Sequence, residues 1–283
     1  MGSFEEIVIR TDRIDFPALA VGSGPIVVCW HGFPDHPESF GPLAERLVGA
    51  GRRVVAPFLR GHHPSTLDQL AFGDGLTLAA DAAAVHAALS DEPLDVIGHD
   101  IGAGVAGRLA AVWPERVRRV VTMSVPPPAA LRTIFEDPAQ QQRFFYVFMF
   151  QIPGLAEGLL NATLIDYLWR TWSPGLSVPS YVQELYADPA VRANALKLYR
   201  ANFDRSLHDP ALSSLASVSE KPASLPMLVL AGADDGCITP DKYADAATGL
   251  APGSRVEIVA GAGHFLQLDR PDEVAALALD WFR

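Results

Sequence analysis

Asp100 stands between an apolar run, Leu94-Asp95-Val96-Ile97-Gly98-His99, and a stretch of small residues, Ile101-Gly102-Ala103-Gly104-Val105-Ala106-Gly107. The first reads as a short buried strand and the second as a helix, so Asp100 occupies a sharp strand-to-helix turn. Gly98 and Gly102 flank it at the two places where a Cβ would crowd such an elbow, a G-x-nucleophile-x-G pattern with Asp where Ser is usual. Gly104, Ala106 and Gly107 are expected to let the helix lie close against the sheet. The helix dipole favours an ionised carboxylate at its N-terminus. Asp is also a common N-cap, and taken alone Asp100 would read as one. The paired glycines and the residues downstream favour a nucleophile. A carboxylate attacking carbon forms an alkyl ester, so the leaving group must be on saturated carbon.

Hydrolysing that ester requires a water-activating base and an acid to orient it. His264, in Gly261-Ala262-Gly263-His264-Phe265, supplies the base, and Gly232-Ala233-Asp234-Asp235-Gly236-Cys237 offers two adjacent acids. Each loop follows a predicted parallel strand, at the sheet edge where open α/β sheets place ligands. A fourth loop, His31-Gly32-Phe33-Pro34, follows the apolar run Pro25 to Trp30. Gly beside a rigid Pro turns the backbone so that an N–H can face a pocket.

The elements needed to position these groups are legible along the chain. Residues 4–10 and 15–21 predict an antiparallel edge pair, joined by a turn near Thr11 to Arg13. Strands follow at 25–30, 53–56, 94–99 and 117–123, alternating with helices at 41–48, 76–90 and after Asp100, the signature of a mostly parallel sheet. Pro126, Pro127 and Pro128 stop the last of these strands. Residues 129–220 contain no convincing strand; helices are expected at 140–151, 161–172 and 189–203. Pro222 and Pro226 bracket the return to a strand at 227–230, followed by a helix near 240–250, a strand at 255–260 and a helix from Pro271 to the end. This divides the chain into a core, residues 1–125 and 221–283, and an inserted helical cap, residues 126–220.

Composition bounds the function classes. The 283 residues are 49% hydrophobic and carry 22 basic against 33 acidic side chains, a net charge of -11. No basic run appears, so nucleic acid is not an expected partner. The N-terminus, MGSFEEIVIR, lacks the charged and apolar regions of a signal peptide. The most apolar stretch, residues 144–160, is broken by Gln151, Pro153, Gly154 and Glu157 and falls short of the ~20 residues of a membrane span. Cys29 and Cys237 form no disulfide framework or metal spacing. His62 and His63 lack ligand spacing as well. No cofactor, metal or membrane is expected, and the setting reads as cytoplasmic.

Taken together, the HGFP loop, GHDIG elbow, GADDGC turn and GAGHF loop resemble the epoxide hydrolase branch of the α/β-hydrolase superfamily, related to haloalkane and fluoroacetate dehalogenases. The resemblance spans essentially the whole chain. It implies an α/β-hydrolase fold, an oxyanion hole made by the backbone N–H groups of Phe33 and Ile101, and an orienting acid three residues after the glycine that ends its strand. Gly232 plus three is Asp235, leaving Asp234 as a solvated turn residue. Two cap segments sharpen the match. Phe145-Tyr146-Val147-Phe148-Met149-Phe150-Gln151-Ile152-Pro153-Gly154 looks like the segment carrying the first ring-opening tyrosine of epoxide hydrolases, and Asn194-Ala195-Leu196-Lys197-Leu198-Tyr199-Arg200 like the segment carrying the second. This assigns Tyr146 and Tyr199 as donors to the epoxide oxygen, whereas Tyr167, Tyr181 and Tyr186 read as packing residues.

The departures bear on the reaction. Haloalkane dehalogenases usually place Trp directly after the nucleophile, where this chain has Ile101. Fluoroacetate dehalogenases carry arginines just after the nucleophile, and Ile101, Ala103 and Gly104 supply none. Phe58 stands where the family commonly has Asp. The expected activity is hydrolysis of a small apolar epoxide to a vicinal diol, with a haloalkane or haloacetate dehalogenase as the rival enzyme and a non-catalytic ligand-binding relative as the rival outside enzymes. Phe33, Phe145, Phe148, Trp169 and Phe265 are the expected substrate-binding aromatics.

Overall fold

A computed structural model describes residues 3–126, 134–243 and 249–283. Eight strands form one sheet in the order β1-β2-β4-β3-β5-β6-β7-β8. They are β1 (Glu5–Ile9), β2 (Phe16–Gly22), β3 (Ile26–Trp30), β4 (Arg53–Pro57), β5 (Leu94–His99), β6 (Val117–Met123), β7 (Met227–Gly232) and β8 (Arg255–Val259). β1 and β2 are the antiparallel edge, and β3 through β8 run parallel. This is the α/β-hydrolase fold, with helices on both faces.

Period-two alternation explains how continuous apolar strands serve two cores at once. Val27, Cys29, Ile97, Val121, Leu228 and Leu230 face one layer, closed by Leu43, Ala44 and Leu47 of α1 (Gly41–Gly49) and by Val274, Ala275 and Ala278 of the helix Pro271–Trp281. Their neighbours Val28, Trp30, Val96, Val120, Val229 and Ala231 face the other layer, closed by α2 (Gly75–Leu89) and α3 (Ile101–Val112). Each such aliphatic side chain contributes roughly 1.5–3 kcal/mol by leaving water.

Gly98 and Gly102 are needed at the elbow as expected, whereas Gly104 and Gly107 work differently from expectation. A Cβ on Gly98 would overlap the Gly102 carbonyl, and one on Gly102 would overlap the Trp30 carbonyl, so this pair sets the close approach of α3 to β3 and β5. Gly107 has only the end of Met227 within 4 Å, and Gly104 faces the Arg108 side chain. Neither presses α3 onto the sheet.

Between β6 and β7 the described residues form helices only, including Pro138–Arg143, Phe145–Met149, Leu155–Leu159, Ala162–Trp172, Ser180–Ala187 and Pro189–Arg200. The single helix expected over 140–151 is two short ones separated at Phe144, and the helices 155–159 and 180–187 were not foreseen. The helix expected over 189–203 stops at Arg200. Where a helix was expected near 240–250, Pro240–Tyr243 forms a 3-10 turn, and residues 244–248 lie outside the described residues, as do Pro127 and Pro128. Among the described residues, no helix is long and apolar enough to cross a membrane.

Candidate active site

The chain runs from β3 to β4 on one side and then crosses back over β3 to β5, so the sheet's direction of growth reverses between β3 and β5. Loops leaving neighbouring strands at that point diverge and open a crevice. The β3 loop carries Phe33 and the β5 loop carries Asp100, which is why two residues 67 positions apart meet.

Asp100 has φ 53° and ψ -117°, a backbone conformation rare for a non-glycine residue and one that costs energy to hold. Its N–H donates to Met123 O at 3.1 Å and its carbonyl accepts from Ala103 N–H at 2.9 Å. The carboxylate makes no capping bond to α3; Oδ1 instead accepts the Phe33 N–H at 2.8 Å. Gly32 makes that approach feasible, because a Cβ there would overlap the Asp100 carboxylate. The Ile101 amide opens α3 one peptide away and makes no bond to the carboxylate.

His264 lies between two acids. Nδ1 is 3.1 Å from Asp235 Oδ2 and Nε2 is 3.6 Å from Asp100 Oδ2. Asp235 is fixed in turn by N–H donors from Cys237 at 2.7 Å and Ile238 at 3.1 Å, both on its Oδ1. Asp234 is exposed to solvent. The helical insert ties the two loops together: the Trp172 carbonyl accepts the Gly236 N–H at 3.0 Å and the His264 N–H at 2.9 Å.

The electrostatics follow from this sandwich. Burial pushes the His264 pKa down, but Asp235 and Asp100 outweigh it and raise it to about 10. Burial pushes Asp100 up, yet the bond to His264, the charges of His264 and His99 and the Phe33 N–H bring it below the usual carboxylate range. Both shifts favour a proton on His264 and a negative charge on Asp100.

Tyr146 and Tyr199 come from different helices of the insert, and their rings meet at a centroid distance of 5.7 Å. Both are buried, and burial, with Cys237 and Asp100 adding to it, holds both phenols well above their ordinary pKa. They are therefore neutral O–H donors. With Asp100 and Ile101 they line a cavity of about 300 Å³, walled elsewhere by Leu78, Val105, Phe144, Val147 and Leu198.

The expected aromatics need correction. Phe145 and Phe148 are 38% and 43% exposed and do not line this cavity. Trp169 and Phe265 stack on each other at 3.7 Å, and Trp169 donates its indole N–H to Pro34 O at 2.9 Å, so they dock the insert onto the β3 loop. Phe33 is fully buried with its ring edge-on to Tyr199 at 5.1 Å, a support for the tyrosine rather than a cavity wall. The insert's amphipathic periodicity does not say which aromatic face turns inward.

Other residues complete the site beyond those expected. His99 Nδ1 is 3.3 Å from the buried Asp35 Oδ2, and its Nε2 is 3.0 Å from the His264 carbonyl, which also accepts the Ser124 hydroxyl at 2.5 Å. This brace behind His264 joins β5, β6 and the β3 loop. Cys237 places Sγ 3.7 Å from the Tyr146 hydroxyl. Arg108 lines the Asp100 cavity, and its position could have been read from the i, i+4, i+8 spacing of Asp100, Gly104 and Arg108.

A family model described as the alpha/beta hydrolase fold matches residues 25–271. Epoxide hydrolase A of Mycobacterium tuberculosis is 28% identical over 99% of this chain and 98% of its own length. The AB hydrolase superfamily protein YfhM of Bacillus subtilis is 27% identical over 97% of this chain and 96% of its own. The crystal structure of epoxide hydrolase A from Mycobacterium thermoresistibile superposes with a TM-score of 0.75 at 26% identity, covering 99% of this chain and 98% of that one. The chain belongs to the α/β-hydrolase fold family, and the relatives it resembles over nearly its whole length include epoxide hydrolases.

Proposed function

We propose that the protein hydrolyses an epoxide to a vicinal diol through an ester on Asp100. The observation that carries this reading is the pair of buried, neutral tyrosines sharing one cavity with an ionised carboxylate. Asp100 Oδ2 attacks an epoxide carbon, the ring C–O bond breaks, and the leaving oxygen takes a proton from Tyr146 or Tyr199. Donors that strengthen as that charge develops lower the barrier to opening.

In the ester, Oδ1 is the carbonyl oxygen, already bonded to the Phe33 N–H. Alkylation removes the Asp100 charge, so His264 loses one of the two carboxylates that hold its proton. His264 can then return its proton to the tyrosinate left by ring opening, and the neutral imidazole accepts a proton from water as that water attacks Asp100 Cγ, with Asp235 stabilising the imidazolium formed and the water's second proton leaving on the diol oxygen. Phe33 and Ile101 amides receive the oxyanion, and collapse releases the diol and regenerates the carboxylate. Residues 126–220 act as a cap over a core of 1–125 and 221–283, closing the site to bulk water.

A panel of alkyl and aryl epoxides assayed for diol, beside haloalkanes and haloacetates assayed for halide, tests this directly. Diol formation without halide release is expected. Halide release alone would make the protein a dehalogenase using the same Asp100, and ligand binding without either product would make it a binding relative.

A further inference from the structure

A helical turn returns the same face about every four residues, so Asp100, Gly104 and Arg108 form one stripe along α3. All three line the cavity that holds the tyrosines. Arg108 carries five N–H donors in a planar fork, yet among the described residues its one hydrogen bond is from Nη1 to Gly104 O at 3.3 Å. No carboxylate among the described residues forms an ion pair with it.

Two acids, Asp74 and Glu220, lie near enough for their charge to favour the guanidinium without forming an ion pair with it. Asp74 accepts N–H bonds from Leu76 at 3.0 Å and Thr77 at 3.2 Å as the cap of α2, and a third from Asp209 at 3.2 Å. Glu220 is exposed. Room for the guanidinium is made by two glycines: a Cβ on Gly75 would come within 2.9 Å of its Cζ, and one on Gly104 within 3.2 Å of Nη1. A cation without a direct ion pair among the described residues thus shares with the nucleophile a cavity whose other lining residues are mostly apolar.

We propose that Arg108 anchors the carboxylate of an epoxy acid, with an aliphatic spacer lying across Leu78, Val105 and Leu198 so that the epoxide reaches Asp100. This rests on the epoxide reading of the site and adds its substrate class. The Cα of Arg108 lies ~12 Å along the helix axis from that of Asp100, and the bond to Gly104 O draws the guanidinium back toward the nucleophile. The span suits a chain of several carbons between carboxylate and epoxide. A planar fork favours a carboxylate through paired N–H bonds.

The experiment compares terminal epoxy acids of increasing chain length with their methyl esters. Wild-type protein should prefer the acid over its ester at least tenfold in kcat/KM at one optimal length, chiefly through KM. Arg108→Gln should collapse that preference toward unity, and Arg108→Lys should retain part of it. A second measurement needs no turnover: straight-chain carboxylates lacking an epoxide should raise the Tm of wild-type protein more than the matching alcohols do, and Arg108→Gln should abolish the difference. Equal use of acid and ester at every length, or a preference that survives Arg108→Gln, would overturn the proposal. Carboxylate stabilisation lost in Arg108→Gln without turnover of any epoxide would keep the anchor and reject the epoxide reaction. Should Arg108→Gln not fold, the wild-type length series and Arg108→Lys still decide.

Discussion

His264 Nε2 stands 3.6 Å from Asp100 Oδ2, the carboxylate oxygen that the Phe33 N–H leaves free. In the proposed reaction, one oxygen is held where the ester carbonyl would form, and the other faces the proposed base, His264. The consequence is a division of labour within a single side chain, and each half of it can be measured.

His264→Gln should stop hydrolysis while leaving Asp100 able to attack, lowering turnover by about a thousandfold or more by analogy with other triads. Intact-mass measurement after mixing with substrate should show an adduct of one substrate mass, located on Asp100 by peptide mapping. In oxygen-18 water, a single wild-type turnover should give diol without solvent label, because the new hydroxyl oxygen comes from Oδ2. An adduct on another residue, or label in that first turnover, would point to direct attack by water.

Asp235→Asn should lower ester hydrolysis by about a hundredfold or more, because His264 Nδ1 loses its charged partner. Asp234→Asn should change it less than threefold, since the Asp234 side chain is in solvent. Equal losses in the two variants would refute the assignment.

Tyr146→Phe and Tyr199→Phe should each slow alkylation by ~3 kcal/mol, or about a hundredfold, as when one oxyanion donor is removed. The double variant should be nearly inert in alkylation yet still hydrolyse a preformed ester, which rapid-mixing kinetics would resolve. Wild-type alkylation rates in both single variants would make the tyrosines packing residues and favour a halide leaving group.

The two steps should separate in pH. Attack needs ionised Asp100, whose pKa is depressed, so alkylation should stay level from neutral pH down to about 5 and fall only below the ordinary carboxylate range. Hydrolysis needs neutral His264. Its resting pKa of about 10 drops once Asp100 is esterified, so hydrolysis should rise with pH and level off below 10. Alkylation that declines between pH 7 and 5 would contradict the depressed Asp100.

Gly102→Ala should destabilise the fold by ~3 kcal/mol or more, since its Cβ meets the Trp30 carbonyl with no flexible atom to yield. Gly107→Ala, in the same helix with open space, should be neutral or stabilising by up to ~1 kcal/mol. Urea denaturation of both variants checks the contrast.

The strands and the loops after them were legible in the sequence because strand burial is written in continuous apolar runs and elbows demand glycine. Ile26–Trp30 and the Gly98–Gly102 pair are examples: local sterics and burial leave few alternatives at those positions. The insert was less legible. Its helices share one amphipathic period, so Phe145 and Phe148 looked as suited to the cavity as Phe144 and Val147, and only packing against the core decided which face turned inward. That the Phe33 amide turns toward the site was visible in the sequence, and the packing of its ring against Tyr199 was not. His99 with Asp35, and Arg108 with Gly75, lay beyond the sequence, because each depends on segments far apart in the chain converging at the sheet's crevice, whereas the stripe of Asp100, Gly104 and Arg108 was readable from its spacing. Local stereochemistry determined where Asp100 must turn; the strand order and the docking of the insert decided what it faces.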